Sequence, residues 1–173
     1  MSQQNSKSGS NSPIATGCGC LLFLMFIAPV IGALVLPSFL NQANKAKQTE
    51  GKLYVRSMNK GQQAYFAEKG SFSNSVEALG LGIKTETTNY KYSTRATKQA
   101  AFNYGVSKQP QLRSYIGGVF VVPAKQVDAN AKDEITTVSI LCKADSDVTT
   151  KPAEPTYQSG KITCGKGTTE VTK

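Results

Sequence analysis

The chain is 173 residues long, with 20 Lys and Arg against 11 Asp and Glu, a net charge of +9, and no histidine at all. The length suits one compact domain of about 130 residues behind a shorter N-terminal segment, and the missing histidine removes the commonest general base and the commonest metal ligand. With no Walker-type loop, H-E-x-x-H, G-x-S-x-G or C-x-x-C, the sequence argues against an enzyme and implies no cofactor, metal or catalytic residue.

The first segment, MSQQNSKSGSNSPIAT, is rich in Ser, Asn and Gln and carries one charge, Lys7. Its composition predicts a disordered polar tail over residues 1–17.

Cys18 to Leu40 (CGCLLFLMFIAPVIGALVLPSFL) follows, 23 residues without a charged side chain, inside an uncharged interval between Lys7 and Lys45. At about 1.5 Å per residue it forms a rod of roughly 34 Å, against a hydrocarbon core of about 30 Å. A buried core helix seldom runs so long without a polar face. A cleaved signal peptide would need a basic start, a shorter apolar run and an A-x-A-like site, which PSFLNQANKAKQ does not supply. Residues 18–40 are therefore expected to be a retained single-pass membrane and helix-packing segment. Its packing residues are Leu21, Leu22, Phe23, Leu24, Phe26, Ile27, Pro29, Ile31, Gly32, Leu36, Pro37, Phe39 and Leu40. Pro29 and Pro37 would bend the rod, which a membrane or packed bundle tolerates. Cys18 and Cys20 read as thiols at the membrane edge, open to acylation.

From Asn41 to Lys69 there is no proline. Ala43, Ala46, Glu50, Tyr54, Met58, Gly61 and Tyr65 recur every three or four residues, with Lys47, Lys52, Arg56 and Lys60 largely around them. This predicts that the helix continues beyond the apolar segment, its second half packing on a sheet, until Gly70 caps it. Ser71 to Ile83 reads as a loop with a short helical turn, pinned by Phe72, Val76, Leu79 and Leu81.

Four segments with period-two, β-branched and aromatic character come next: Tyr90 to Arg95, Ala101 to Ser107, Tyr115 to Pro123 and Ile135 to Lys143. They predict an α+β fold, a long N-terminal helix packed on an antiparallel meander of three or four strands. One sheet face would meet the helix and the other solvent. Gly80-Leu81-Gly82 and Gly117-Gly118 suit turns and strand packing. Asp128, Asp133, Glu134, Asp145 and Asp147 read as solvated loop charge, since no EF-hand spacing exists.

Cys142 and Cys164, 22 positions apart, flank a polar stretch. Two readings stand: a disulfide closing that loop, or two buried free thiols. The disulfide would add about 3 kcal/mol in the chain-entropy model and would imply an oxidising compartment. A last short strand is expected near Lys161 to Cys164.

All the acids and every base except Lys7 lie after the apolar segment, which leaves that part at +8. An acidic partner, whether nucleic acid, acidic polysaccharide or anionic lipid, is consistent with this charge. A solvated basic surface is the better explanation, because no Lys/Arg run appears.

Ile31 to Phe72, IGALVLPSFLNQANKAKQTEGKLYVRSMNKGQQAYFAEKGSF, resembles the helix of type IV pilins and pseudopilins: a small-residue and aliphatic helix, then Pro37, Ser38 and Phe39, then Gly70 and Phe72 in a loop. The segments LPSFLNQANKAKQ and QQAYFAEKGSF resemble in particular the cyanobacterial type IV pilin-like G and H family. The resemblance spans Leu21 to Val171, including a strand ending in Cys142, a loop with Pro152 and Pro155, and Cys164. It implies a structural subunit whose residues 41–173 form an extracytoplasmic pilin-like domain. It also implies membrane location and, as partners, other pilin-like subunits or assembly-machinery membrane proteins. The different alternative is a tethered binding module for DNA or acidic polysaccharide that does not polymerise.

The sequence also departs from the pilin pattern. Aligned on Pro37, the acidic position of classical pilins falls on Cys20, the cut falls near Ala15 and Thr16, and no Asp or Glu precedes Glu50. In a filament that carboxylate would pair with a neighbouring N-terminal amine, so its absence points to a minor or accessory subunit, or to a pilin-like protein that stays in the membrane. Lys45, Lys47, Lys52, Arg56 and Lys60, set against Lys7 alone, would orient the domain inward by the positive-inside rule. The disulfide reading and the resemblance both place it outside, in the periplasm or at the cell surface.

Overall fold

The structure, a computed structural model, describes residues 41–147 and 149–171, and carries the backbone of 14–40 as helix. The chain divides into two compact units, Met1–Gln42 and Ala43–Lys173. The expected polar tail and the expected membrane segment, with Cys18, Cys20 and the packing residues from Leu21 to Leu40, lie outside the described residues. Among the described residues, no helix is long and apolar enough to cross a membrane.

Helix α1 spans Ile14–Lys69. It stops where a glycine permits: Gly70 adopts φ +67°, and its N–H donates to the Phe66 carbonyl at 2.8 Å, a left-handed cap that costs other residues strain. The face it turns inward differs from the apolar count. Gly51, Val55, Met58, Asn59 and Gln62 are buried, whereas Ala43 and Ala46 are exposed and Tyr54 and Tyr65 are half-buried. Two causes combine. The Tyr90 ring lies so close to Gly51 that a Cβ there would stand 2.6 Å from its Cζ, and two amides occupy inward positions that an apolar pattern skips.

Strands β1 (Tyr90–Ala96), β2 (Ala100–Ser107), β3 (Tyr115–Pro123) and β4 (Ile135–Ala144) form the expected meander. Each neighbouring pair is antiparallel, with Tyr92 opposite Gly105, Phe102 opposite Gly118, and Tyr115 opposite Lys143. Strand β5 (Thr156–Gln158) pairs with β6 (Lys161–Thr163) as a separate hairpin, and β7 (Thr168–Glu170) adds to β4. The main sheet therefore has five strands, in the order β1-β2-β3-β4-β7, which corrects the expected three or four. TTE carries no apolar alternation, so β7 leaves no periodic signal.

The expectation that one sheet face meets solvent is also corrected. On the helix side, Tyr90, Tyr92, Tyr115 and Leu141 pack with Val55, Met58, Val76 and Leu112, and Phe72 packs with Ala101 and Val119. On the far side, Phe102, Tyr104, Ile116, Phe120, Val122, Ile140 and Cys142 form a second core, on which Tyr157, Ile162 and Cys164 lie. The C-terminal segment is a third layer. β2 and β3 are accordingly buried along nearly their whole length, the condition of a strand covered on both faces.

Candidate functional site

Two devices hold the layers of this fold together. The first device is a polar chain through the helix–sheet interface. Asn59 on α1 donates its Nδ2 to the Ile140 carbonyl at 2.9 Å, and its Oδ1 accepts from Asn103 Nδ2 at 2.9 Å. Thr94 donates to Asn103 Oδ1 at 2.8 Å and accepts from Gln62 Nε2 at 2.9 Å. Gln62 then closes on Ser73, accepting from its N–H at 2.9 Å and donating to its carbonyl at 2.7 Å. Asn59, Gln62, Ser73 and Asn103 are all buried. Among the described residues, no buried side-chain N or O lacks a partner. A network satisfied throughout fixes one rotation and one register of helix on sheet.

Glu50 ties the same helix to the loop before β1. Its carboxylate accepts from Thr87 Oγ1 at 2.6 Å, Asn89 Nδ2 at 2.8 Å and the Tyr92 hydroxyl at 3.2 Å. Burial first, and then the Glu50 charge, push the Tyr92 hydroxyl well above its ordinary value, so it stays a donor.

The second device clamps the third layer. Cys142 and Cys164 are disulfide-bonded with Cα atoms 5.8 Å apart, ordinary spacing for such a bridge. Pro155 presses on the backbone of β3, where a Cβ on Gly118 would stand 2.6 Å from its Cγ. The Tyr157 ring lies 6.0 Å from that of Phe120. Glu154 receives Arg95 Nε at 2.9 Å, a second Arg95 nitrogen and the Tyr104 hydroxyl. Partial burial alone would raise the Glu154 pKa, but the bonds from Arg95 and Tyr104 outweigh it and hold the carboxyl below the usual range. Tyr104 is correspondingly pushed up to about 12, by burial and then by Glu154.

Three kinds of exterior feature remain after these packings. On the side of α1 away from the sheet, Ala46, Ala64 and Ala67 are exposed, Ser57 is half-exposed, and Leu53 is 50% exposed. They recur at spacings of 3, 4 and 7 residues and form one stripe of small residues with a single large apolar side chain, interrupted by exposed Lys60 between Leu53 and Ala67. On the neighbouring flank of α1, two clefts of about 520 and about 240 Å³ open toward β4. An apolar hollow of about 280 Å³ between β3, β4 and the β5–β6 hairpin is lined by Val122, Val127, Val138 and Ile162. Among the described residues no group of three or more His, Cys, Asp or Glu side chains could hold a metal.

Sequence reasoning missed Asn59, Gln62, Asn103 and Glu154. The amides at 59 and 62 carried one usable signal: polar residues three apart on the inward side of a sheet-packing helix.

The sequence matches the type IV pilin-like G and H family over residues 48–165, from the sheet-packing part of α1 to just past Cys164. The chain belongs to the type IV pilin-like G and H family. The pilin-like match thus covers the polar chain, the whole meander and the disulfide clamp. A pilin-like protein of this family is a structural subunit type. No curated protein matches the sequence.

Proposed function

We propose that this chain is a minor or accessory type IV pilin-like subunit, held in the plasma membrane by residues 18–40 with residues 41–173 on the extracytoplasmic side. The family match supports the general subunit type, and one structural observation carries the packing role. Over its described residues 41–69, helix α1 gives one face to its own sheet and leaves the opposite face uncovered, with Leu53 standing among Ala46, Ser57, Ala64 and Ala67. Small residues let a second helix approach closely, and a lone leucine supplies a knob for its groove.

The acid-free N-terminal segment supports the accessory assignment, since no carboxylate precedes Glu50 to pair with a neighbouring amine. The disulfide supports an oxidising location for the domain. Fractionation of native cells, followed by thiol alkylation with and without reductant, tests the placement. The full chain should partition with plasma membrane, with Cys142 and Cys164 protected from alkylation until reduced. A chain found in the soluble cytosolic fraction with both thiols free contradicts the proposal.

A further inference from the structure

The two clefts beside α1 lie on one continuous flank of the helix. Lys45, Lys52, Arg56 and Lys60 follow each other at spacings of 7, 4 and 4 residues along it, which puts them on one stripe. Lys143 on β4 faces them across the upper cleft. Five cations therefore line the trough, and Glu170 is its single carboxylate.

None of these five cations is in an ion pair among the described residues, where the pairs join Arg95 to Glu154, Lys108 to Glu86, Arg113 to Asp147 and Lys125 to Asp133. Other cations are unpaired too, and what sets these five apart is that they line adjoining clefts. A row of like charges held side by side on one helix is repulsive by itself, and a linear polyanion would relieve it. We infer that this trough binds a linear acidic polysaccharide.

The rest of the lining selects this polymer over a nucleic acid strand. Grooves for single strands add aromatic faces on which bases stack, and the one aromatic side chain lining these clefts, Tyr115, is 4% exposed. What the trough offers beside its charges are hydroxyls and amides, Thr49, Gln48 and Ser139, suited to sugar hydroxyls. The inference goes beyond the subunit proposal and stands whether or not subunits assemble.

The test uses the full chain in neutral maltoside micelles and fluorescent polygalacturonate as the probe, read by anisotropy at low and moderate salt. The account predicts binding that weakens with salt, and much weaker binding to the methyl-esterified polymer. The triple variant K52Q/R56Q/K60Q should bind about tenfold more weakly, from the loss of three charges, exposed at Lys60 and half-buried at Lys52 and Arg56. K84Q/K98Q/K166Q, which loses the same charge at exposed sites elsewhere, should lose less than about threefold. E170Q should bind more tightly, a gain that no folding defect produces. Equal losses in the two triple variants would overturn the inference. So would tighter binding to a single-stranded DNA of matched charge, preference for phosphatidylglycerol vesicles, or no binding at low salt.

Discussion

Asn59 on α1 and Asn103 on β2 are hydrogen-bonded side chain to side chain at 2.9 Å, 44 positions apart in the sequence and both buried. The pair locks helix to sheet, because each amide also bonds a further group, Asn59 the Ile140 carbonyl and Asn103 the Thr94 hydroxyl. Asn59→Leu leaves Asn103 Nδ2 buried without its acceptor. The expected loss is about 1–3 kcal/mol, one unsatisfied group, seen as a lower denaturant midpoint with unchanged slope.

Gly117 on β3 sits directly under that pair. A Cβ there would stand 1.9 Å from Asn59 Oδ1, so the amide has to leave its position. Gly117→Ala should cost about 1–3 kcal/mol in the native background. In an Asn59→Ala background the same change should cost less than about 1 kcal/mol, since the atom it strikes is gone. Equal costs in both backgrounds would show that the collision does not matter.

The disulfide holds a layer that has little else of regular structure, since β5 and β6 are three residues each. The paired change Cys142→Ser with Cys164→Ser should cost about 3 kcal/mol for a loop of this size. It should also open 150–165 to limited proteolysis while α1 and the meander stay resistant. Peptide mapping of the cut sites reads this directly.

Glu154 makes the clamp sensitive to acid. Its folded pKa lies below the ordinary value of 4.5, so its contribution is fully present above that value and is lost as pH falls through the lower folded value. The carboxylate and Arg95 are both partly exposed, which keeps the effect modest. Wild type should melt above Glu154→Gln at about pH 6, and the difference should shrink as the pH falls below 4.5 and the carboxylate takes up its proton. A constant difference across that range would mean that the ionised carboxylate is not the stabilising species.

Much of this fold was legible in the sequence. Aromatic and β-branched alternation located all four meander strands to within a residue at their ends, and Gly70 marked the end of α1 because a left-handed cap leaves few alternatives. The covering of the outer sheet face was legible in principle: AAFNYGVS and YIGGVFVVP lack a polar alternate, as strands buried on both sides do. The cover itself, around Glu154, Pro155 and Tyr157, has no periodicity and is held by a clamp and a disulfide, which are long-range features. The inward face of α1 was misjudged for a related reason. Tyr54 and Tyr65 are apolar at helical spacing, yet the sheet selects Gly51, Asn59 and Gln62, whose fit depends on Tyr90, Gly117 and Ser73 far along the chain.

The most direct test of the subunit account is photo-crosslinking from position 53. The full chain carrying benzoylphenylalanine in place of Leu53, expressed in its native cells, should crosslink to a helix of another pilin-like chain. The same probe at exposed Lys98 on the β1–β2 turn should give far less of that product. Crosslinks from position 53 only to lipid or within the same chain, or equal yields from the two positions, would contradict the claim that the uncovered face of α1 is a subunit interface.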